Sequence, residues 1–455
     1  MHLSLGIYYQ ALDDSIWQLR LEVLMPDIRI DGFSLTIEQA ISISRGESTA
    51  LLTAKSKHRM TKSRAAVEEI IRSGDTVYGI NTGFGAMSSV RIDDEEIEAL
   101  QENLVRSHAC GVGDKMDPNH VLLMMVFRAN SIAKGVSGAR PELVEHILSM
   151  VNSRISPDVP RIGSLGASGD LAPLAHMALS MMGEGNCSVY ENGSWKHQRS
   201  KEALANAGLQ PIKLHAKEGL SLINGTSQMC AYLATTLMNM ETLSFAADAS
   251  LACSLEAICG SHKPFDPRVH SSRPQFGQAI SAARILELLS DSEVSSSDEN
   301  YDRVQDAYCF RCAPQVHGPV IDLLKETRRM LEIEINSATD NPLVFTDRGA
   351  PEIISGGNFH GQNLALASDS IAIACHELAT ISERRINQIL DPKWSGQNAF
   401  LAEKEGLESG LMIVQYVAAS IISELHLLAN PATTSNVPVS CLLYTSDAAD
   451  EGLGV

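Results

Sequence analysis

Residues 163–185 read GSLGASGDLAPLAHMALSMMGEG and hold the most informative pattern in the chain. A glycine-rich turn comes first, and small and apolar residues typical of a helix follow it. Taken alone, the pattern predicts a loop that leads into a helix capped near Asp170. The tripeptide Ala167-Ser168-Gly169 lies between the loop and the helix. Its chemistry distinguishes this stretch from an ordinary loop.

The tripeptide can close a ring on itself. Gly169 has no side chain, so its amide nitrogen can approach the Ala167 carbonyl in a backbone geometry that other residues resist. Attack of this nitrogen closes a five-membered ring and releases water, and Ser168 can then lose its hydroxyl to leave an exocyclic methylene. The product is a methylidene-imidazolone, an electrophile that does the work of a cofactor.

Seven segments, in family order, resemble the histidine and aromatic amino-acid ammonia-lyases. Besides residues 163–185 they are YGINTGFG (78–85), NLVRSHACGVG (103–113), LINGTSQM (222–229), VQDAYCFRCAPQ (304–315), SATDNPLVF (337–345) and ISGGNFHGQ (354–362). The resemblance covers about residues 28 to 440. It implies a carbon–nitrogen lyase that carries a methylidene-imidazolone formed autocatalytically from Ala167, Ser168 and Gly169, without a metal.

The resemblance implies a mainly α, fumarase/aspartase-like lyase fold with a central long-helix bundle and a loop-rich N-terminal region. It also implies a homotetramer with shared active sites. Apolar residues recur at helical spacing over residues 364–390, and residues 319–338 and 409–428 read similarly. We therefore predict an N-terminal catalytic domain over residues 25–220 and a helical-bundle domain over residues 221–440.

Both ends of the chain depart from the family pattern. Residues 1–24 fit it poorly, and Met25 is a candidate start, so we predict that the first 24 residues are an extension. Residues 441–455, CLLYTSDAADEGLGV, look like translated adapter DNA and are predicted to be a non-native tail. A divergent native tail is the alternative. On the first interpretation the bundle is C-terminally truncated, and the 455-residue chain is expected to have little lyase activity.

The resemblance assigns roles to matched positions. Tyr78 is expected to take the β-proton of the substrate, Asn224 to hydrogen-bond near the prosthetic group and the substrate amine, and Arg311 to bind the substrate carboxylate with its planar guanidinium. Matched positions in the same site are Tyr308, Gln305, Asn341 and Phe359. Structural alternatives are a packed tyrosine at 78, a helix cap at 224 and an ion pair at 311.

Substrate choice depends on His108. The pair Ser107-His108 resembles the histidine-specific branch, in which this histidine contacts the substrate imidazole. Ser227, Ala313 and Gln362 depart from the residues common in histidine enzymes and favour aromatic lyases or 2,3-aminomutases. We predict elimination of ammonia from L-histidine to give urocanate. The alternatives are a phenylalanine or tyrosine ammonia-lyase, a 2,3-aminomutase, and an inactive truncated helical assembly protein.

The composition of the chain limits the classes of binding partner that we expect. The 455 residues are 44% hydrophobic and 20% charged, with a net charge of −19, which argues against nucleic acid and anionic membranes as partners. No run of 18 uninterrupted apolar residues occurs, so no membrane span is predicted and a cytoplasmic location is expected. The family resemblance implies a small amino-acid substrate. Nine cysteines are scattered along the chain. Cys309 and Cys312 form a single C-x-x-C without the second pair that a metal site needs, so free thiols are predicted.

Overall fold

The computed structural model describes residues 26–73, 76–83, 87, 90–294, 304–347 and 350–435, and most of them are helical. The α-helices are α1 (Ile37–Arg45), α2 (Ala54–Ser73), α3 (Ile97–His108), α4 (Pro118–Ala133), α5 (Pro141–Asn152), α6 (Leu171–Met181), α7 (Ser200–Asn206), α8 (Glu218–Ile223), α9 (Ser227–Ala257), α10 (Pro267–Ser271), α11 (Phe276–Leu288), α12 (Tyr308–Arg311), α13 (Ala313–Glu334), α14 (Gln362–Leu390), α15 (Pro392–Ser395) and α16 (Met412–Leu428). This confirms the predicted mainly α class.

Short strands pair around the loops of the first half. They are β1 (Asp27–Ile30), β2 (Thr49–Leu52), β3 (Val112–Lys115), β4 (Ile155–Pro157), β5 (Pro160–Ile162), β6 (Asn186–Glu191), β7 (Ser194–Arg199), β8 (Leu343–Phe345) and β9 (Glu352–Ile354). β1 and β2 are parallel, whereas β3–β5, β4–β6–β7 and β8–β9 are antiparallel. The β3–β5 pair brings the chain after α3 beside the glycine-rich turn that begins at Gly163.

Three long helices run side by side through the structure. α9, α13 and α14 contact one another, α4 packs on α9, and α11 packs on α13. The 31 residues of α9 contain neither glycine nor proline, so no residue breaks its hydrogen-bond ladder. The central bundle of long helices is the predicted architecture.

The helix boundaries differ from the sequence prediction at α13. We expected a helix over residues 319–338, whereas α13 begins at Ala313 and contains Pro319 in its interior. Proline lacks an amide hydrogen, so the carbonyl four residues earlier loses its helical donor, yet the helix continues through this position. Buried contacts such as those of Val320, Leu324 and Leu331 hold this helix in the core.

A single main hydrophobic core crosses the predicted domain boundary. It includes most of α4 and extends to residues of α9, α13 and α14. The short helix α8 itself spans residue 220. The division at residues 220 and 221 stays a prediction, and residues 1–24 and 441–455 lie outside the described part of the chain.

α16 packs on α14 but has no buried residue. Its apolar side chains, including Ile413, Tyr416 and Leu427, are exposed. By length and hydropathy, residues 362–390 and 412–434 could each span a membrane. α14 nevertheless carries Glu383 and Arg385 buried within the protein, which is the pattern of a bundle helix.

Candidate active site

The Ala167-Ser168-Gly169 turn folds back tightly on itself. Isolated bridges connect Gly166 and Ala167 with Gly169. Gly169 is buried with φ +72°, in the left-handed region that favours glycine, and a Cβ there would overlap the carbonyl oxygen of Gly225. Position 169 therefore accepts glycine alone, as ring closure onto the Ala167 carbonyl requires.

The chain segment Asn224-Gly225 holds this turn from one side. The side-chain amide of Asn224 donates a 2.9 Å hydrogen bond to the carbonyl oxygen of Ser168. The Asp170 amide donates to the Gly225 carbonyl at 2.7 Å. Asn224 ends α8 and is buried, so its side chain is fixed by the fold before any substrate arrives.

Asp170 caps a different helix from the one the sequence predicted. It stands at the start of α6, but its side chain makes no capping bond there. Its Oδ2 accepts from the amides of Gln228 and Met229 in the first turn of α9, at 2.8 and 3.1 Å, and its Oδ1 accepts from Ser164. Burial raises the pKa of the Asp170 carboxyl to about 6, against the lowering effect of these hydrogen bonds.

Tyr78 and Asn341 approach the site through adjoining turns. Tyr78 is half-buried in the turn of residues 78–80. A Cβ on Gly79 would lie 2.9 Å from the ring of Pro342, so the two turns touch. The Asn341 side-chain oxygen accepts from the Gly356 amide at 2.7 Å. Residues 84 and 85, at the end of the YGINTGFG segment, lie outside the described residues.

Phe359 lies in the turn that connects to the start of α14. It is half-buried, and two residues later the Gly361 amide donates to the Gly166 carbonyl at 2.9 Å. Met229 packs closely against both Gly166 and Gly361. The structure thus places the segment of Phe359 directly beside the loop that carries the tripeptide.

His108 is the last residue of α3. Its Nδ1 lies 2.9 Å from the Leu104 carbonyl oxygen, which fixes Nδ1 as the protonated nitrogen and Nε2 as the acceptor. Burial lowers the pKa of His108, so the ring is neutral at pH 7. The following loop is joined to α6, because the Gly111 amide lies 3.1 Å from Nε2 of His176.

A second group of predicted residues lies elsewhere. Gln305 is exposed, Tyr308 is 70% exposed, and Arg311 stacks its guanidinium 4.5 Å from the Tyr308 ring centroid. Arg311 Nε donates to the carbonyl of Asp306, whose carboxylate accepts from the Ser261 amide just beyond the end of α9. These three residues form the far group of the site.

The length of α9 separates the two groups. Its first turn is capped by Asp170 beside the tripeptide, and its last turn adjoins the far group. At 1.5 Å per residue, a helix of 31 residues spans about 45 Å. Within one chain, described contacts connect Asn224, Gly225 and the segment of Phe359 to the tripeptide loop. The turns of Tyr78 and Asn341 adjoin each other, and the loop after His108 contacts α6. Gln305, Tyr308 and Arg311 lie beyond the other end of α9.

Sequence reasoning missed one buried residue at this site. Arg128 is fully buried in α4 and donates from Nη1 to the Asn224 carbonyl at 2.9 Å. The available signal was a lone cation within the apolar run of residues 121–133, VLLMMVFRANSIA. A charged side chain in such a run is buried only where it has polar partners.

Comparison with known proteins identifies the family of this chain. The profile of the aromatic amino acid lyase family matches residues 35–443. The chain is 45% identical over 415 residues to a histidine ammonia-lyase of Myxococcus xanthus, covering 91% of this chain and 80% of that protein.

Two solved structures share the fold. The histidine ammonia-lyase of Trypanosoma cruzi is 38% identical with a TM-score of 0.82, covering 92% of this chain and 78% of its own. The tyrosine aminomutase of Streptomyces globisporus is 35% identical with a TM-score of 0.82, covering 91% and 80%. The turn at Ala167-Ser168-Gly169, its contact with Asn224, and a match over most of the length together place this chain in the aromatic amino acid lyase family.

Proposed function

We propose that this protein eliminates ammonia from L-histidine to give urocanate. The observation that carries the proposal is the buried turn at Gly169, clamped by Asn224 and Gly225, in a chain of this family. A carbon–nitrogen lyase needs an electrophile for the amine and a base for the weakly acidic β-hydrogen. The residues around the turn fit both requirements.

The electrophile forms from the chain itself. The Gly169 nitrogen bonds to the Ala167 carbonyl carbon, whose oxygen leaves as water with the amide hydrogens of Gly169 and Ser168. Ser168 then loses its hydroxyl and its α-hydrogen as a second water, which leaves the methylidene double bond. Two observations support this ring closure at the tripeptide. There is no room for a side chain at Gly169. The side-chain amide of Asn224 donates to the Ser168 carbonyl oxygen, which becomes the carbonyl oxygen of the ring. The group supplies an electrophilic carbon that captures the substrate amine.

Tyr78 is the proposed base. It takes the β-proton, the electron pair of the broken C–H bond forms the Cα–Cβ double bond, and the C–N bond breaks with its pair on nitrogen. Tyr78 lies in a turn that packs on the Asn341-Pro342 segment. That contact positions the phenol relative to the rest of the site.

The far group comes from a second copy of the chain. Arg311 offers a planar fork suited to a carboxylate, but α9, a helix about 45 Å long, separates it from the tripeptide of its own chain. A homotetramer with shared active sites resolves this, since one subunit then supplies Arg311, Tyr308 and Gln305 to the tripeptide of another. The acidic chain, with eight described cysteines all free, suits a cytoplasmic enzyme without nucleic-acid or membrane partners.

His108 supports histidine as the substrate. Its Nδ1 donates within α3, so its neutral Nε2 can accept from the N–H of a substrate imidazole. A phenyl ring cannot make this bond, and an unpaired buried polar group costs about 1–3 kcal/mol. That difference discriminates histidine from phenylalanine by roughly 5- to 150-fold.

A 2,3-aminomutase acting on an aromatic amino acid is the second candidate. Ser227, Ala313 and Gln362 favour it, and they occupy the first positions of α9, α13 and α14. The likeness to the tyrosine aminomutase of Streptomyces globisporus points the same way. Such an enzyme would return the amine to the β-carbon instead of releasing ammonia.

Product analysis tests these proposals. The purified chain and its Ser168→Ala variant are incubated separately with L-histidine, L-phenylalanine and L-tyrosine, and the products are separated and identified. Urocanate from histidine, formed at a low rate by the 455-residue chain and absent with Ser168→Ala, is the expected result. Cinnamate or coumarate without urocanate would overturn the substrate assignment, and a β-amino acid would establish the aminomutase. An undehydrated tripeptide in folded, full-length protein, seen by peptide mass, would refute the electrophile.

A further inference from the structure

Arg128 occupies an unusual place for an arginine. It is fully buried in α4, among the apolar residues of the main core. Within the described part of the chain it makes one hydrogen bond, from Nη1 to the Asn224 carbonyl at 2.9 Å. Its Nε and Nη2 are buried and have no hydrogen-bond partner among the described residues. An arginine with two unpaired donors stabilises a core poorly, so its contribution to folding does not explain its presence.

The hydrogen bond from Nη1 of Arg128 goes to the chain segment that clamps the tripeptide. Asn224 presents its carbonyl to Arg128 and its side chain to the Ser168 oxygen. Gly225 follows directly, and its carbonyl accepts from the amide of Asp170. A Cβ on Gly225 would overlap Nη1 of Arg128, so the guanidinium lies hard against this backbone. Arg128 is thus one residue removed from the reacting tripeptide.

Charge around Arg128 is balanced from two directions. The carboxylates of Asp170 and Asp340 both attract the guanidinium electrostatically. Asp340 also forms an ion pair with Lys217 at 3.3 Å. Lys217 and Asp340 are themselves fully buried. The guanidinium is therefore held in place by charge as well as by its hydrogen bond to the Asn224 carbonyl.

We propose that Arg128 is a positioning residue for formation of the electrophile: it fixes the Asn224-Gly225 backbone, and through it the tripeptide turn, in the geometry that ring closure requires. This inference rests on the proposed function, since it presupposes that the tripeptide cyclises. Among the described residues, no hydrogen bond joins Arg128 to the tripeptide itself. Its effect falls on the fraction of chains that mature and on the rate of maturation, and the KM of mature enzyme is unaffected.

The test compares Arg128→Met and Arg128→Lys with wild type and with a matched control. Arg385→Met is the control, because Arg385 is equally buried in the bundle but bonds to Ser382 and His317 at the end remote from the tripeptide. Folding is checked by circular dichroism and thermal melting. The proteolytic peptide that contains the tripeptide is analysed by mass spectrometry at intervals after cell-free synthesis, and its loss of two waters is followed.

In wild type and Arg385→Met we expect complete loss of two waters. In Arg128→Met ring closure should be slower by about 10²-fold, the penalty typical of a small misplacement of reacting groups. Arg128→Lys, which keeps the charge but not the fork, should mature at an intermediate rate. Where mature enzyme turns over, kcat should fall with the dehydrated fraction at unchanged KM.

Two outcomes would overturn the inference. One is a folded Arg128→Met chain that dehydrates at the wild-type rate. The other, decisive if Arg128→Met does not fold, is a folded Arg128→Lys chain that matures like wild type. Failure of the wild-type chain to lose water is a different result, since it contradicts the proposed function itself.

Discussion

The side-chain amide of Asn224 lies 2.9 Å from the carbonyl oxygen of Ser168, a residue 56 positions earlier in the chain. The bond joins the end of α8 to the turn that precedes α6, so two segments that are distant in sequence share one reacting unit. A preorganised donor at an oxygen where charge develops is among the largest single contributions to enzymatic catalysis.

Asn224→Ala should therefore lower kcat by about 10²–10³-fold, as expected when one such donor is lost. Asn152→Ala is the matched control, because the side-chain bonds described for Asn152 go to the backbone of Ala50, away from the site. Steady-state kinetics and melting temperature are measured for both variants. Equal losses of activity in the two would show that Asn224 acts through general stability.

Removal of the proposed base should stop turnover without preventing maturation. Tyr78→Phe should lower kcat by about 10²–10⁴-fold, while the tripeptide still loses two waters. Tyr190→Phe serves as the control, since Tyr190 packs edge to face against Trp195 across the β6–β7 strand pair. Wild-type kcat in Tyr78→Phe would eliminate this tyrosine as the base.

Shared sites predict complementation between two inactive variants. Ser168→Ala removes the electrophile and Arg311→Ala removes the carboxylate anchor, so each alone should be inactive. Co-expressed in equal amounts, they should recover about one quarter of wild-type activity, because a random assembly gives that share of sites with both halves intact. Recovered activity is measured after purification through two different affinity tags. No recovery in mixed assemblies would mean that each site is built from one chain.

Asp170 should make stability depend on pH in a definite direction. Burial raises the pKa of its carboxyl from 3.8 to about 6 in the folded chain, so the folded state binds the proton more tightly. The stabilisation is complete below pH 3.8 and is lost as pH rises through about 6, a change of about 3 kcal/mol. Urea unfolding of wild type and Asp170→Asn from pH 4 to 7 isolates this difference. Parallel pH dependence in the two chains would contradict it.

The apolar face of α16 is exposed in the single chain, and it gives a prediction about solubility and activity. Ile413, Tyr416 and Leu427 leave an apolar surface of the kind that drives association. A chimera that carries the C-terminal segment of a relative after Ser440 should be more soluble and more active than the 455-residue chain. The opposite result, full activity in the 455-residue chain that disappears when residues 441–455 are deleted, would show that those residues are a native tail.

The long helices could be predicted because their apolar spacing is local. α14 begins two residues before its predicted start and ends at the predicted residue. The tripeptide could also be singled out, because the requirement for glycine at 169 is a property of the backbone there. Both predictions, the long helices and the tripeptide, rest on local sequence patterns.

The partners of Asp170 and Arg128 could not be predicted in the same way. Asp170 precedes α6, so a cap on that helix is the natural expectation, yet it caps α9, whose first amides lie 58 and 59 residues later. Arg128 meets Asn224 across 96 residues. Such pairings depend on how helices pack, and no single segment of sequence specifies them.

The length of α9 also bears on how activity varies with the amount of protein. On the proposed assembly, a single folded chain carries an electrophile at one end of this helix and a carboxylate anchor at the other, but no complete centre. A newly made chain would then be inert until it meets others. Specific activity would fall on dilution below the assembly equilibrium while the fold persists. In a cell at low expression levels, enzyme activity would rise more steeply than the amount of the chain. The amount of active enzyme would therefore not be proportional to the amount of chain that is made.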